Sequence, residues 1–159
     1  MSKLTHFDEE GRSKMVDITE KDITKREAVA SCYVFVKPDT FNLIVNKKIE
    51  KGDVFEVARI AGIMGGKNTS SLIPMCHPLN ITSIDINFYP IDKENKIEIE
   101  SIVKIVGRTG VEMEALTSVA IAALTIYDMC KGVDKNIKIT DIKLISKKGG
   151  KSGNFVRDY

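Results

Sequence analysis

Between Val111 and Met129 the sequence VEMEALTSVAIAALTIYDM is apolar over most of a helical surface. Such a helix cannot stand alone in water, so it is expected to be buried against a sheet or a neighbouring subunit. Thr109 and Glu112 have the spacing of a capping box that opens it. Lys131-Gly132 is expected to end it, with a favourable charge and a C-cap glycine. Everything else in the chain has to supply a surface for this segment to pack on.

The flanking segments can supply one. REAVASCYVFV at 26–36 is rich in small and β-branched residues and predicts a strand. Lys37-Pro38-Asp39-Thr40 breaks it, and Phe41, Ile44 and Val45 follow at helical spacing. Lys51-Gly52 interrupts that short helix, and Asp53 is placed as the N-cap of a second, with Val54, Val57, Ile60, Ala61 and Met64 three or four apart. Gly65-Gly66 is expected to end the second helix. Alternation at Ile84, Ile86, Phe88 and again at Ile97, Ile99, Val103, Ile105 predicts a hairpin over 82–107. A last strand runs from Ile137 to Ile145, with a phase slip near Asp141 that reads as a bulge. The order β–α(α)–β–β–α–β is the ferredoxin-like split βαβ arrangement, an α+β fold with helices on one face of an antiparallel sheet.

Length and composition fit one such domain. The chain has 159 residues, 43% of them hydrophobic, and 24 basic against 22 acidic side chains for a net charge of +2. Domain boundaries are expected at 1–23 for a loose N-terminal arm, 24–147 for the domain and 148–159 for a basic, glycine-rich tail. Near-neutral charge argues against a nucleic-acid coat. Three dispersed cysteines without a C-x-x-C point to a reducing compartment, and no apolar run is expected to reach the ~20 residues of a bilayer span. A polar N-terminus without a signal-peptide core completes the expectation of a cytoplasmic protein.

Several features can carry chemistry. GIMGGKNT and KKGGKSG resemble parts of a phosphate-binding loop, but neither satisfies G-x-x-x-x-G-K-[ST]. What remains is a basic tail with Lys147, Lys148 and Lys151 among glycines, suited either to solvent or to closing on a polyphosphate. Cys76 and His77 stand between Pro74 and Pro78, which stiffen the segment. His6 is the other histidine and no second cysteine lies at ligand spacing, so a metal centre is not expected, and His77 reads as a donor or general acid/base. Glu112 and Glu114 sit in the first turn of the long helix, where the dipole favours carboxylates. Asp128, three residues before Lys131, opposes the dipole within LTIYDMC and is the acid least explained by stability; a buried Asp beside a Lys suits proton transfer. Lys51 is held in a turn by Gly52 and Asp53.

Glu114 and Asp128 are 14 residues apart, about 21 Å along a straight helix, with an angular offset of about 40°. One small ligand beside one copy of the helix cannot easily touch both. If both serve one site, an antiparallel copy from another subunit supplies one of them.

LTH, MVD at 15–17, REA at 26–28, KGDVFEVARIAGI at 51–63, LIPMCHPL at 72–79, GRTGVEMEALT at 107–117, AALTIYDMCK at 122–131 and KKGGKSG at 147–153 closely resemble the cyclic pyranopterin monophosphate synthase family. This is the C protein of early molybdenum cofactor biosynthesis, and the resemblance runs from about Leu4 to Gly153. It implies a metal-independent lyase that needs no cofactor. The implied substrate is the GTP-derived 3′,8-cyclo-7,8-dihydro-GTP, supplied by a radical-SAM GTP cyclase as pathway partner. The implied products are cyclic pyranopterin monophosphate and pyrophosphate. It also implies a ferredoxin-like domain in a homohexamer, a trimer of dimers with sites at the dimer interface. Carried over residue by residue, Met75, Cys76, His77, Met113 and Glu114 are implied to bind substrate, with Glu112 beside them. Asp128 is the implied catalytic acid, Lys51 and Lys131 the essential lysines, and Arg26 and Lys147 the surroundings of the triphosphate.

That chemistry suits these groups. Remodelling a ribose and purine needs repeated proton transfers, for which Asp128, His77 and a lysine are candidates. Attack of a sugar hydroxyl on the α-phosphorus expels pyrophosphate, whose charge lysines and an arginine can neutralise. Lys51 and Lys131 are expected near Asp128, orienting a lysine or lowering its pKa. The alternative is a non-catalytic nucleotide- or RNA-binding ferredoxin-like oligomer. Against it, the strands lack an aromatic RNA-binding signature, and a pure binder has no need of Asp128.

Overall fold

The computed structural model describes residues 6–158. Its elements are β1 (Thr24–Phe35), α1 (Pro38–Val45), α2 (Val54–Lys67), α3 (Thr69–Leu72), β2 (Ser83–Ile91), β3 (Lys96–Gly107), α4 (Glu112–Cys130), β4 (Lys138–Lys148) and β5 (Phe155–Val156). The strands form one antiparallel sheet in the order β2-β3-β1-β4-β5. This is the expected α+β ferredoxin-like arrangement, with α4 covering the centre of the sheet.

The core follows from alternation on β1. Ala28, Ala30, Cys32 and Val34 are fully buried beneath α4, and the Cys32 Sγ lies 3.6 Å from the Val119 carbonyl. On β3, Ile97, Ile99, Val103 and Ile105 share that face. Ser101 interrupts the series but remains buried, because its hydroxyl donates to the Ala115 carbonyl of α4 at 2.7 Å. On the other face, Tyr33 and Phe35 lie beneath ammonium groups. Lys96 stands 4.5 Å from the Tyr33 ring centre and Lys138 stands 4.9 Å from that of Phe35.

The bulge expected near Asp141 is present. The β1–β4 register shifts between Ser31 and Tyr33, and Asp141 takes a left-handed φ of 55°. Asp53 caps α2 as expected, accepting from the Glu56 N–H at 3.3 Å.

Three expectations about helix ends are corrected. α2 does not stop at Gly65-Gly66 but runs through both to Lys67. These glycines serve packing: a Cβ on Gly65 would stand 2.7 Å from the Ile121 side chain, and one on Gly66 would collide with the Ser118 hydroxyl. Gly62, one turn earlier, would bring a Cβ within 2.9 Å of the Ser118 carbonyl. Small residues let the two helix axes approach, and this contact outweighs their low helix propensity.

The capping box does not form. Val111 occupies the N-cap without a side-chain hydrogen bond, and Glu112 folds back over Gly110 towards Lys147 instead. At the other end Gly132 does not adopt the left-handed conformation of a C-cap glycine; the Lys131 amide closes the last turn on the Tyr127 carbonyl. At 19 residues α4 also has the length and apolarity of a membrane span, contrary to expectation, but Ala115, Val119, Ala122, Ala123 and Ile126 are fully buried in the core.

Candidate functional site

The residues singled out from the sequence gather at the two ends of α4. At its N-terminal end, a cavity of about 270 Å³ is lined by Met75, Cys76, His77, Glu112, Met113 and Glu114, together with residues of the N-terminal arm. Pro74 and Pro78 hold the Met75–His77 segment extended across the helix end.

Glu114 is the buried acid of this wall, only 4% exposed. Burial pushes its carboxyl up to about 7, against its own backbone amide, which favours the charged form, with Glu112 adding a smaller upward push. The expectation that the helix dipole keeps Glu114 an ordinary carboxylate is therefore corrected: desolvation dominates. Cys76 is raised as well, by its own partial burial and then by Glu114.

A second cavity of about 200 Å³ adjoins the first, sharing Thr109, Gly110 and Glu112, and is lined by Arg26, Lys147 and Lys148. Arg26 reaches it from β1, with Nε donating to the Gly107 carbonyl at 3.0 Å and Nη2 to that of Arg108 at 3.1 Å. Lys147 on β4 pairs with Glu112 at 3.0 Å and donates to the Ser152 hydroxyl at 3.1 Å. Lys148 pairs with Glu27 at 3.3 Å. Gly149 and Gly150 turn the chain with φ of 87° and 81°, and a Cβ on Gly150 would collide with the Arg26 guanidinium. The glycines thus bring the backbone flush against Arg26.

The other residues lie at the far end of α4. Lys131 Nζ contacts Asp128 Oδ1 at 2.6 Å, and Lys51 Nζ donates to the Asp128 carbonyl at 2.9 Å. The hydrogen bond from Lys131, its charge, and then that of Lys51 hold the Asp128 carboxyl below the usual carboxylate range. Asp128 in turn raises Lys131. Two expectations are corrected here. Asp128 is not buried within one chain, its side chain being 63% exposed, and its partner lysine is raised instead of lowered. Lys51, Lys131 and Asp128 are nevertheless brought together.

Sequence reasoning missed the arm. Val16 and Ile18 are half-buried against the first cavity while Asp17 between them is exposed. The Thr19 hydroxyl and amide hold the Asp17 carboxyl below its ordinary range, with a smaller contribution from nearby His77. The alternation in MVDIT was the available signal, too short to stand out from charged surroundings. Among the described residues, no three His, Cys, Asp or Glu side chains gather as a metal-ligand set.

One cluster thus offers an enclosed acid and a cation-lined hollow, the other an ionised acid–lysine pair, and comparison with known proteins gives these a context. The cyclic pyranopterin monophosphate synthase of Heliobacterium modesticaldum is 55% identical over 158 residues, covering 99% of each chain. The synthase of that name from Thermoanaerobacter sp. (strain X514) is 57% identical over 156 residues, 98% of each chain. That from Desulforapulum autotrophicum is 53% identical over 158 residues, 99% of this chain and 97% of the relative. The model of the MoaC family matches residues 15–150, a span that holds every site residue described above, and with relatives this similar over their full length the chain belongs to that family.

Proposed function

We propose that this protein is a lyase of molybdenum cofactor biosynthesis that converts 3′,8-cyclo-7,8-dihydro-GTP to cyclic pyranopterin monophosphate and pyrophosphate. The observation that carries the reading is the full-length similarity to proteins named cyclic pyranopterin monophosphate synthase. The geometry supports it. The cavity bounded by Met75, Cys76, His77, Met113 and Glu114 takes the fused rings, and the adjoining hollow of Arg26 and Lys147 takes the phosphates. Lys147 exchanges Glu112 for a phosphate oxygen there, an anion with more charge to offer.

Asp128, Lys51 and Lys131 are the proton-transfer groups. α4 spans 19 residues, about 28 Å, so these groups are too far from the ring cavity to act on a ligand bound there in the same chain. A homohexamer built as a trimer of dimers resolves this, with the Asp128 end of one subunit's α4 meeting the Glu114 end of another's. The exposed apolar side chains Val57, Ile60, Met64 and Leu124 on α2 and α4 suit such packing. In the shared site the Asp128–Lys pairs lose solvent, so proton exchange between carboxylate and ammonium becomes easier.

The test is incubation of the purified protein with 3′,8-cyclo-7,8-dihydro-GTP, following pyrophosphate and the pterin product. Wild-type turnover that disappears in Asp128→Ala supports the lyase. A folded, oligomeric wild type that releases no pyrophosphate rejects it in favour of nucleotide binding alone.

A further inference from the structure

The N-terminal arm closes one side of both cavities. The alternation of Val16, Asp17 and Ile18 turns two apolar side chains onto the ring cavity. Arg108 fastens the arm, its Nη1 donating to the Thr19 carbonyl at 2.7 Å. The Arg108 carbonyl meanwhile accepts from Arg26, so arm and cation-lined hollow share one anchor. A turn closed by the Lys21 amide on the Ile18 carbonyl at 3.1 Å then delivers Lys21 to the seam.

Lys21 lines the ring cavity, the cation-lined hollow and a third, open cavity of about 1000 Å³ beside Arg26 and Gly150–Ser152; no other residue lines all three. Lys147 and Lys148 are each engaged by a glutamate. Among the described residues no carboxylate pairs with the Lys21 ammonium, although Asp17, Glu20 and Asp22 are close along the arm. An unpaired ammonium at the seam between a ring-sized cavity and a cationic hollow is matched by an anion located between a nucleobase and a polyphosphate tail.

We infer that Lys21 is a substrate-binding residue that contacts the phosphate nearest the nucleoside, the α-phosphate, while Arg26 and Lys147 hold the two phosphates beyond it. The inference rests on the lyase reading and adds a residue and a phosphate assignment to it. Calorimetric titrations of the full chain with guanosine 5′-monophosphate, guanosine 5′-triphosphate and pyrophosphate test it. Lys21→Ala is expected to weaken both nucleotides about tenfold and leave pyrophosphate unchanged, with Lys21→Arg restoring most of the loss. Unchanged monophosphate affinity overturns the assignment, and so does an equal loss for pyrophosphate, which would make Lys21 a general contributor to the field. A wild type that binds neither nucleotide overturns the lyase reading itself, separately from any effect of Lys21.

Discussion

Lys51 donates its ammonium to the backbone carbonyl of Asp128 across 77 residues of sequence, at 2.9 Å. The contact leaves the Asp128 carboxylate to Lys131, so two lysines converge on one acid from different elements. Both contacts are at the surface of the single chain and contribute little to its stability.

Asp128→Asn and Lys51→Met are therefore expected to retain a melting temperature close to wild type while turnover falls about 10²- to 10⁴-fold, the usual scale for losing an acid–base group. Thermal unfolding alongside pyrophosphate release checks this. A Lys51→Met protein that turns over bound substrate normally, with affinity alone reduced, would make Lys51 a binding residue.

A shared site can be read from mixed oligomers. Asp128→Ala and Glu114→Ala proteins, each inactive, are refolded together in equal amounts. Random pairing leaves about a quarter of the sites with neither defect. Recovery near that level indicates two subunits per site, and no recovery indicates that each chain carries its own.

Glu114 makes stability depend on pH in the direction opposite to most carboxylates. Its folded-state value, about 7, exceeds the ordinary 4.5, so the folded chain holds a proton that the unfolded chain releases. The stabilisation is complete below about pH 4.5 and is lost as pH rises through 7. Glu114→Gln keeps the shape without the charge. It is expected to match wild type near pH 4.5 and exceed it by about 3 kcal/mol at pH 8 in urea unfolding. Parallel curves for the two proteins across that range would contradict the burial assigned here.

Two glycines give opposite outcomes on replacement by alanine. Gly62→Ala gains helix propensity, but its methyl meets the Ser118 carbonyl at 2.9 Å and the Ile86 side chain, so a net loss of about 1–2 kcal/mol is expected. At Gly132 a methyl meets open space and φ is not left-handed, so Gly132→Ala stays within about 0.5 kcal/mol of wild type. Denaturant midpoints at constant slope report both.

Arg108→Ala removes the bond to the Thr19 carbonyl. The expected result is faster tryptic cleavage at Lys14 and Lys21, with KM for the cyclised nucleotide raised severalfold and kcat changed less. Equal cleavage rates in the two proteins would show that the arm is held by its apolar contacts alone.

The strands, both long helices, the bulge at Asp141 and the cap at Asp53 were readable from the sequence, because each is written in spacing over a few residues. The helix ends were misread where a residue's role is tertiary: Gly65 and Gly66 resemble a stop signal but serve a helix contact with Ser118 and Ile121, and Glu112 forgoes the cap for Lys147. The membership of Glu112, Glu114, Lys51 and Asp128 in a site was carried by motifs, but their charge states were not. Glu114 is pushed up because neighbouring segments exclude water from it, and Asp128 is held down because Lys51 arrives from before α2. Periodicity determines which face of an element is apolar. Desolvation and the meeting of distant charges are decided only when sheet register and helix packing set distances between residues far apart in the chain.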